Sequence, residues 1–185
     1  MKKKIILASS SPRRIEMMKK NGFNPQIIPA YVVEQLPINM SPEAAVMYLA
    51  LKKAAYIDAA TNGSHLIIAA DTVVVHDNII LGKPESKEHA YEMLSKMKND
   101  HHNVMTGVCI IDTYSYTKQC FFDKTSVYFR NYSDRELNAY INTDEPYDKA
   151  GGYAIQGTFS KYIDHIEGDY NNVVGFPWYR IKPFL

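Results

Sequence analysis

Leu66-Ile67-Ile68-Ala69-Ala70 is apolar at every position, with no alternating polar residue. A strand written this way belongs inside a sheet covered on both faces. Asp71 follows at once, and Val73-Val74-Val75 carries the strand onward with no turn signal. A carboxylate embedded in such a strand must be paired, hold a metal or open onto a site. The plainer alternative is a turn aspartate served by Thr72 and nearby amides. Ile79-Ile80-Leu81, beyond Asp77-Asn78, predicts a β-hairpin with the run 73–75.

The rest of the chain must supply the cover. Ser11-Pro12 opens a helix predicted over residues 12–20, with Ser11 as its N-cap and Asn21-Gly22 as its stop. Ser41-Pro42-Glu43 opens a second, which ends near Thr61-Asn62-Gly63. Ser86 caps a third over residues 87–98, and Ser133-x-x-Glu136 is a capping box for a fourth, reaching about Ile141. Residues 5–8 read as a short strand, and residues 25–33 as extended with Pro29 marking an edge or break. Residues 104–114 and 119–130 form a second hairpin, residues 161–167 a last strand, and the chain closes in a short helix or turn. Alternating helices and strands with antiparallel hairpins predict a mixed sheet in an α/β or α+β fold. No linker or repeat divides residues 1–185, so one domain is expected.

The 185 residues carry a net charge of +1, which excludes a broad basic surface for nucleic acid. No run is long enough to span a bilayer. Lys2-Lys3-Lys4 before Ile5-Ile6-Leu7-Ala8 has the charge order of a secretory leader, but the apolar run is short and Pro12-Arg13-Arg14 interrupts it. A cytoplasmic protein is expected. Cys109 and Cys120 form neither a disulfide framework nor a zinc pattern, and read as two reduced, mostly structural thiols.

Arg13 and Arg14 fall in the first turn of the first helix, where the dipole disfavours cations by about 0.3–1 kcal/mol each. A strand, the small residues Ser9-Ser10-Ser11 and a helix N-terminus already make an anion site. Two guanidiniums added there suit a highly charged anion such as a polyphosphate; otherwise they are a solvated pair. Lys83, in Gly82-Lys83-Pro84, is either a point-charge phosphate contact or a solvated hairpin exit. The segment 148–157, Asp-Lys-Ala-Gly-Gly-Tyr-Ala-Ile-Gln-Gly, concentrates glycine beside an acid–base pair, and Gln156 has the donor and acceptor needed to read a base edge. A surface Ω-loop with a local Asp148–Lys149 pair is the alternative. Glu34 with Asp71 could form an oxygen site for a divalent metal. His101-His102, next to the polar Lys98-Asn99-Asp100, reads as solvent-facing. No P-loop, dinucleotide fingerprint or nucleophile elbow is present.

Taken in order, these segments resemble the Maf family of nucleoside triphosphate pyrophosphatases. The matching stretches are Leu7-Ala8-Ser9-x-Ser11-Pro12-Arg13-Arg14, Val33-Glu34, Leu49-Ala50-x-x-Lys53-Ala54, Ala70-Asp71-Thr72-Val73-Val74 and Gly82-Lys83-Pro84. They continue with His102-x-Val104-x-Thr106-Gly107-Val108, Thr125-x-Val127-x-Phe129, Asp148-Lys149-Ala150-Gly151-x-Tyr153-x-Ile155-Gln156-Gly157 and Asn172-Val173-Val174-Gly175-x-Pro177. Gly152 and Ala154 stand where the usual motif has alanine and glycine, and Lys98-Asn99-Asp100 replaces a Ser-Gly-Arg.

The resemblance implies an elongated mixed α/β fold related to inosine triphosphate pyrophosphatases, with two lobes around a cleft. It implies hydrolysis of a nucleoside triphosphate to monophosphate and pyrophosphate, a divalent cation (Mg2+ or Mn2+), and a homodimer. It makes Asp71 the proton acceptor, with Glu34 and Lys83 as further catalytic residues. From the chemistry of the residues, Asp71 and Glu34 are expected as metal ligands, and Ser9, Arg13, Arg14, Lys53, Thr72, Lys149 and Gln156 are expected to bind substrate. The Arg13/Thr72/Gln156 combination looks like the branch acting on dTTP and UTP rather than the sister branch preferring 7-methyl-GTP. An alternative on the same scaffold is a nucleotide-sensing regulator linked to cell division or septation, with little turnover.

Overall fold

A computed structural model describes residues 3–185; Met1 and Lys2, the latter opening the Lys2–Lys4 run, lie outside the described residues. The chain runs β1 (Ile5–Leu7), α1 (Pro12–Lys20), β2 (Gln26–Ile27), α2 (Pro42–Ala60), β3 (Leu66–His76), β4 (Ile79–Leu81), α3 (Lys87–Met97), β5 (His101–Asp112), β6 (Thr117–Phe129), α4 (Asp134–Ile141), β7 (Ile163–Glu167), α5 (Tyr170–Val174) and α6 (Trp178–Ile181), with short 3₁₀ turns after α4 and at the C-terminus. The strands form a seven-stranded sheet ordered β2-β1-β3-β5-β6-β7, with β4 paired to β3. β1 is parallel to both β2 and β3, pairing Ile6 with Ile67 and Leu7 with Ile68, whereas β3–β4 and β6–β7 are antiparallel. The fold is thus mixed α/β.

The chain divides into two compact units. The first comprises Met1–Thr72, Thr106–Asp123 and Gly175–Leu185, the second Val73–Met105 and Lys124–Val174. In the first unit the all-apolar run of β3 is covered on both faces, as its sequence predicts. Ile67 and Ala69 pack with Ala50, Ala54 and Ile57 of α2, while Leu66, Ile68 and Ala70 pack with Met18, Phe176 and Ile181. Helix α2 comes very close to β5. A Cβ on Gly107 would lie 2.2 Å from the Val46 carbonyl, so only glycine allows this packing.

The second unit is built on aromatic rings. Phe159 meets Phe129, Tyr132, Tyr140 and Tyr162 at centroid distances between 4.5 and 5.5 Å. Two of the buried tyrosines send their hydroxyls to backbone oxygens, Tyr132 to Leu94 at 2.5 Å and Tyr140 to Gly152 at 3.0 Å, so these two hydroxyls stay partnered.

The caps of α2, α3 and α4 form as expected, the last as a full capping box. Several expectations need correction. The Ser11 side chain does not cap α1; its backbone N–H instead donates to Ser9 Oγ at 3.2 Å. The extended segment 25–33 pairs only at Gln26–Ile27, ending ahead of Pro29, which has no N–H to continue a ladder. The last strand begins at Ile163, because residues 158–162 form a 3₁₀ turn. His102 does not face solvent. The Phe129 N–H donates to Asp100 O at 2.9 Å and extends the hairpin, which makes His101–His102 the start of β5. His102 is buried against Phe129 and Tyr153, and its Nε2 lies 2.5 Å from the Tyr153 hydroxyl. Burial pushes its pKa down to about 3, so it is a neutral core residue.

Candidate active site

In the first unit the polar motif residues form one connected network. Arg14, on the first turn of α1, turns its guanidinium inward. Nε donates to Gly175 O at 2.8 Å, Nη1 to Ala70 O at 2.8 Å and Ser9 Oγ at 3.2 Å, and Nη2 to Thr72 Oγ1 at 3.0 Å. Those bonds use four of the five guanidinium donors. They explain why a cation is kept where the helix dipole opposes it: the backbone carbonyls and hydroxyls stabilise it instead. Burial still lowers its pKa to about 10, partly offset by Asp71, and it remains charged near neutral pH. Gly175, at φ +103°, brings its carbonyl to this point, and a Cβ there would sit 3.1 Å from Thr72 Oγ1. Thr72 Oγ1 lies 2.9 Å from Thr106 Oγ1. Arg13, one residue away, is exposed.

Asp71 is only 8% exposed, and the structure gives it a charged partner. Lys53 of α2 places Nζ 2.6 Å from Asp71 Oδ1 and 2.7 Å from Glu34 Oε1. Glu34 and Asp71, expected as a pair, therefore meet through Lys53, which was expected only as a phosphate contact. Glu34 is exposed and Asp71 buried, so the ion pairs run from solvent inward. The turn-aspartate alternative does not hold, because Asp71 lies within β3.

The expected divalent cation can be tested against this donor set. No group of three or more His, Cys, Asp or Glu side chains gathers among the described residues. Magnesium, however, is held by one or two carboxylates, with water and substrate phosphate completing its shell. Two carboxylate oxygens converge on the Lys53 ammonium, so the pair already accepts a cation at that point. The residues fit the group, with Lys53 as a competitor that the substrate's phosphates could draw away.

The second unit carries the remaining residues. The Gly151 N–H donates to Gly82 O at 3.0 Å, tying the glycine segment to the Gly82-Lys83-Pro84 turn. Gly151 takes φ +72°, and a Cβ there would meet Val74 Cγ1 at 2.8 Å, so the glycine is required. Lys149 bonds to the Asp148 carboxylate and to Glu145 O at 3.1 Å. That bond, with a smaller contribution from Lys83, holds Asp148 below the usual carboxylate range. Lys83 and Gln156 are exposed.

Motif positions that the sequence left without a role also find one. Asn172, fully buried in the second unit, donates through Nδ2 to Val104 O and Thr125 Oγ1, each at 3.0 Å. Its signal was an amide among valines, which reads equally well as a loop residue.

A family model described as Maf-like protein matches residues 4–185. The chain belongs to the Maf family. A protein of Caldicellulosiruptor bescii named dTTP/UTP pyrophosphatase is 45% identical over 99% of this chain and 94% of its own length. A protein of Bacillus anthracis with the same name is 43% identical over 97% of this chain and 92% of its own. Among solved structures, a nucleoside-triphosphatase (dITP/XTP pyrophosphatase) of Mycobacterium abscessus aligns with TM-score 0.43 and 12% identity, covering 68% of this chain and 72% of that one. The Ham1 protein of Staphylococcus aureus aligns with TM-score 0.45 and 17% identity, covering 69% and 72%. Among the described residues no helix is long and apolar enough to cross a membrane.

Proposed function

We propose that this Maf protein is a nucleoside triphosphate pyrophosphatase that hydrolyses dTTP and UTP to the monophosphate and pyrophosphate. The observation that carries the reading is the buried Asp71 joined to Lys53 and Glu34, beside the Arg14–Thr72 network. Relatives more than 40% identical over nearly the whole chain bear the matching name.

In this reading Asp71 orients the attacking water and takes its proton as the water adds to the α-phosphorus. Pyrophosphate leaves from the opposite side. Lys53, Arg13, Lys83 and Lys149 bind the phosphate oxygens and stabilise the charge that develops on the leaving group. Ser9 and Thr72 offer hydroxyls to the substrate, and Arg14 holds both in place while keeping one donor of its own. Gln156 and Thr72 are the positions that the family resemblance assigns to nucleotide selectivity. Asp71 and Glu34 would hold a divalent cation, Mg2+ or Mn2+, which would supply water activation and charge neutralisation. Residues 1–185 act as a single functional domain, in the cytoplasm and as a homodimer; light scattering on the purified protein tests the dimer.

The deciding experiment is a pyrophosphate-release assay with magnesium or manganese on dTTP, UTP, CTP, 7-methyl-GTP and the purine triphosphates. Turnover centred on dTTP and UTP is expected. Turnover centred on 7-methyl-GTP overturns the branch assignment. Tight nucleotide binding without turnover moves the protein to the sensing role.

A further inference from the structure

The two cysteines are not equivalent, and they are neighbours. The strands of the β5–β6 hairpin end at Asp112 and Thr117, so counting back an equal number of residues sets Cys109 opposite Cys120. The far end keeps the same register. Phe129 bonds to Asp100, and Ser126 Oγ donates to Asn103 Oδ1 at 2.9 Å. Cys109 lies an odd number of residues from the hydrogen-bonded Asp100–Phe129 pair. It is therefore at a non-hydrogen-bonded position, where facing side chains approach most closely. Facing Cβ atoms are about 4.5–5.5 Å apart in such ladders, and a disulfide needs about 3.5–4.5 Å. Only a small closing movement separates the two.

Their environments differ. Cys109 is buried among Ala8, Ile67, Ala69 and Ile111, whereas Cys120 is exposed. A hydrogen-bonding interaction with the facing Cys109 thiol, with help from Lys118, lowers the Cys120 pKa to about 7, while the same interaction and burial push Cys109 up. Ionisation is thus favoured at the exposed sulfur over the buried one.

We propose that Cys120 and Cys109 form a peroxide-reactive thiol pair, with Cys120 as the attacking sulfur and Cys109 as the resolving one. The Cys120 thiolate attacks one oxygen of a hydroperoxide. The O–O bond breaks, the leaving oxygen takes a proton from solvent, and Cys120 becomes a sulfenic acid. Cys109 sulfur then attacks Cys120 Sγ. The S–O bond breaks, hydroxide leaves with the Cys109 proton as water, and the S–S bond forms. A thiol reductant reverses the step, as expected of a transient disulfide in a reducing compartment.

The test is hydrogen peroxide treatment of the full-length protein, read by intact mass and a non-reducing peptide map. The wild type should lose both free thiols and the mass of two hydrogens, yield a Cys109–Cys120 linked peptide, and recover with dithiothreitol. Cys109→Ala should stop at a Cys120 sulfenic acid that dimedone traps. Cys120→Ser, a change at an exposed position, should leave Cys109 unreacted. The oxidation rate should reach half its plateau near pH 7 in the wild type and move toward an ordinary cysteine value, about 8.5, in Cys109→Ala. Cys120 taking up oxygen while Cys109 stays a free thiol, or a disulfide joining Cys120 of two copies, overturns the proposal.

Discussion

Charged and polar motif residues occur in both units, but Arg14 and Lys53 of the first are held differently from Lys83 and Gln156 of the second. In the first unit Arg14 spends four donors on Ser9, Ala70, Thr72 and Gly175, and Lys53 is locked between Glu34 and Asp71. In the second unit Lys83 and Gln156 stand exposed beside turns whose backbone is hydrogen-bonded through Gly82, Gly151 and Gly157. The first arrangement fixes where charge sits before any ligand arrives, which is what a proton-transfer step needs. The second leaves side-chain donors for whatever ligand is met, which suits recognition. Chemistry and selectivity should therefore respond differently to mutation.

The largest effect is expected at Asp71. Asp71→Asn keeps the shape and removes the base, and should cut turnover about 10²-fold or more. Melting temperature should change little, because the strand's packing and the Lys53–Glu34 pair remain. Near-normal turnover would remove Asp71 from the mechanism.

The two neighbouring arginines should respond in contrasting ways. Arg14→Lys cannot reach acceptors on several sides of a planar fork, so buried oxygens lose partners. A loss of about 1–3 kcal/mol is expected. At roughly 2–4 °C per kcal/mol this is visible in a melting curve. Arg13→Ala removes an exposed side chain and should leave stability within about 0.5 kcal/mol while raising KM for the triphosphate. Equal melting temperatures for the two variants would mean that the inward network of Arg14 is not formed in solution.

A smaller effect concerns the second unit's interior. His102 is neutral in the folded state, with a pKa lowered from 6.5 to about 3, and an unfolded chain would bind its proton more readily. Its contribution is therefore complete above pH 6.5 and is lost as pH falls toward 3. The slope is at most about 1.4 kcal/mol per pH unit. Denaturant melts of the wild type between these values should steepen relative to His102→Gln; parallel curves would show that the imidazole is reached by water.

What could be read in advance follows from the range of the forces involved. Helices α2, α3 and α4 were legible because a cap is a contact between near neighbours in sequence. Strand β3 was legible because burial on both faces writes itself into every residue. Arg14 was legible as anomalous, but not as a structural clamp, because its Gly175 partner lies 161 positions away. His102 was misread because its polar neighbours are local, whereas Phe129 and Tyr153, which bury it, are distant in sequence. Glu34 and Asp71 could be paired in advance as two oxygen donors, but the Lys53 ammonium between them could not; residue spacing alone does not bring a loop acid to a helix lysine.

The last and smallest effect tests the recognition side directly. Gln156→Glu keeps size and one acceptor but replaces the amide donor with negative charge. The side chain is exposed, so stability should not move. If Gln156 donates to a carbonyl on the pyrimidine edge, the variant loses that bond and sets a charge against the carbonyl oxygen. KM for dTTP and UTP should then rise, while cytosine, whose exocyclic amine donates, should gain relative to them. The maximal rate on the best substrate should change less than the ranking does, because Asp71 and Lys53 are untouched. An unchanged ranking of dTTP, UTP and CTP would make Gln156 a turn residue and leave selectivity to Thr72 and Arg13 in the first unit. A reversal confined to KM would instead place selectivity in the group that the fold leaves free.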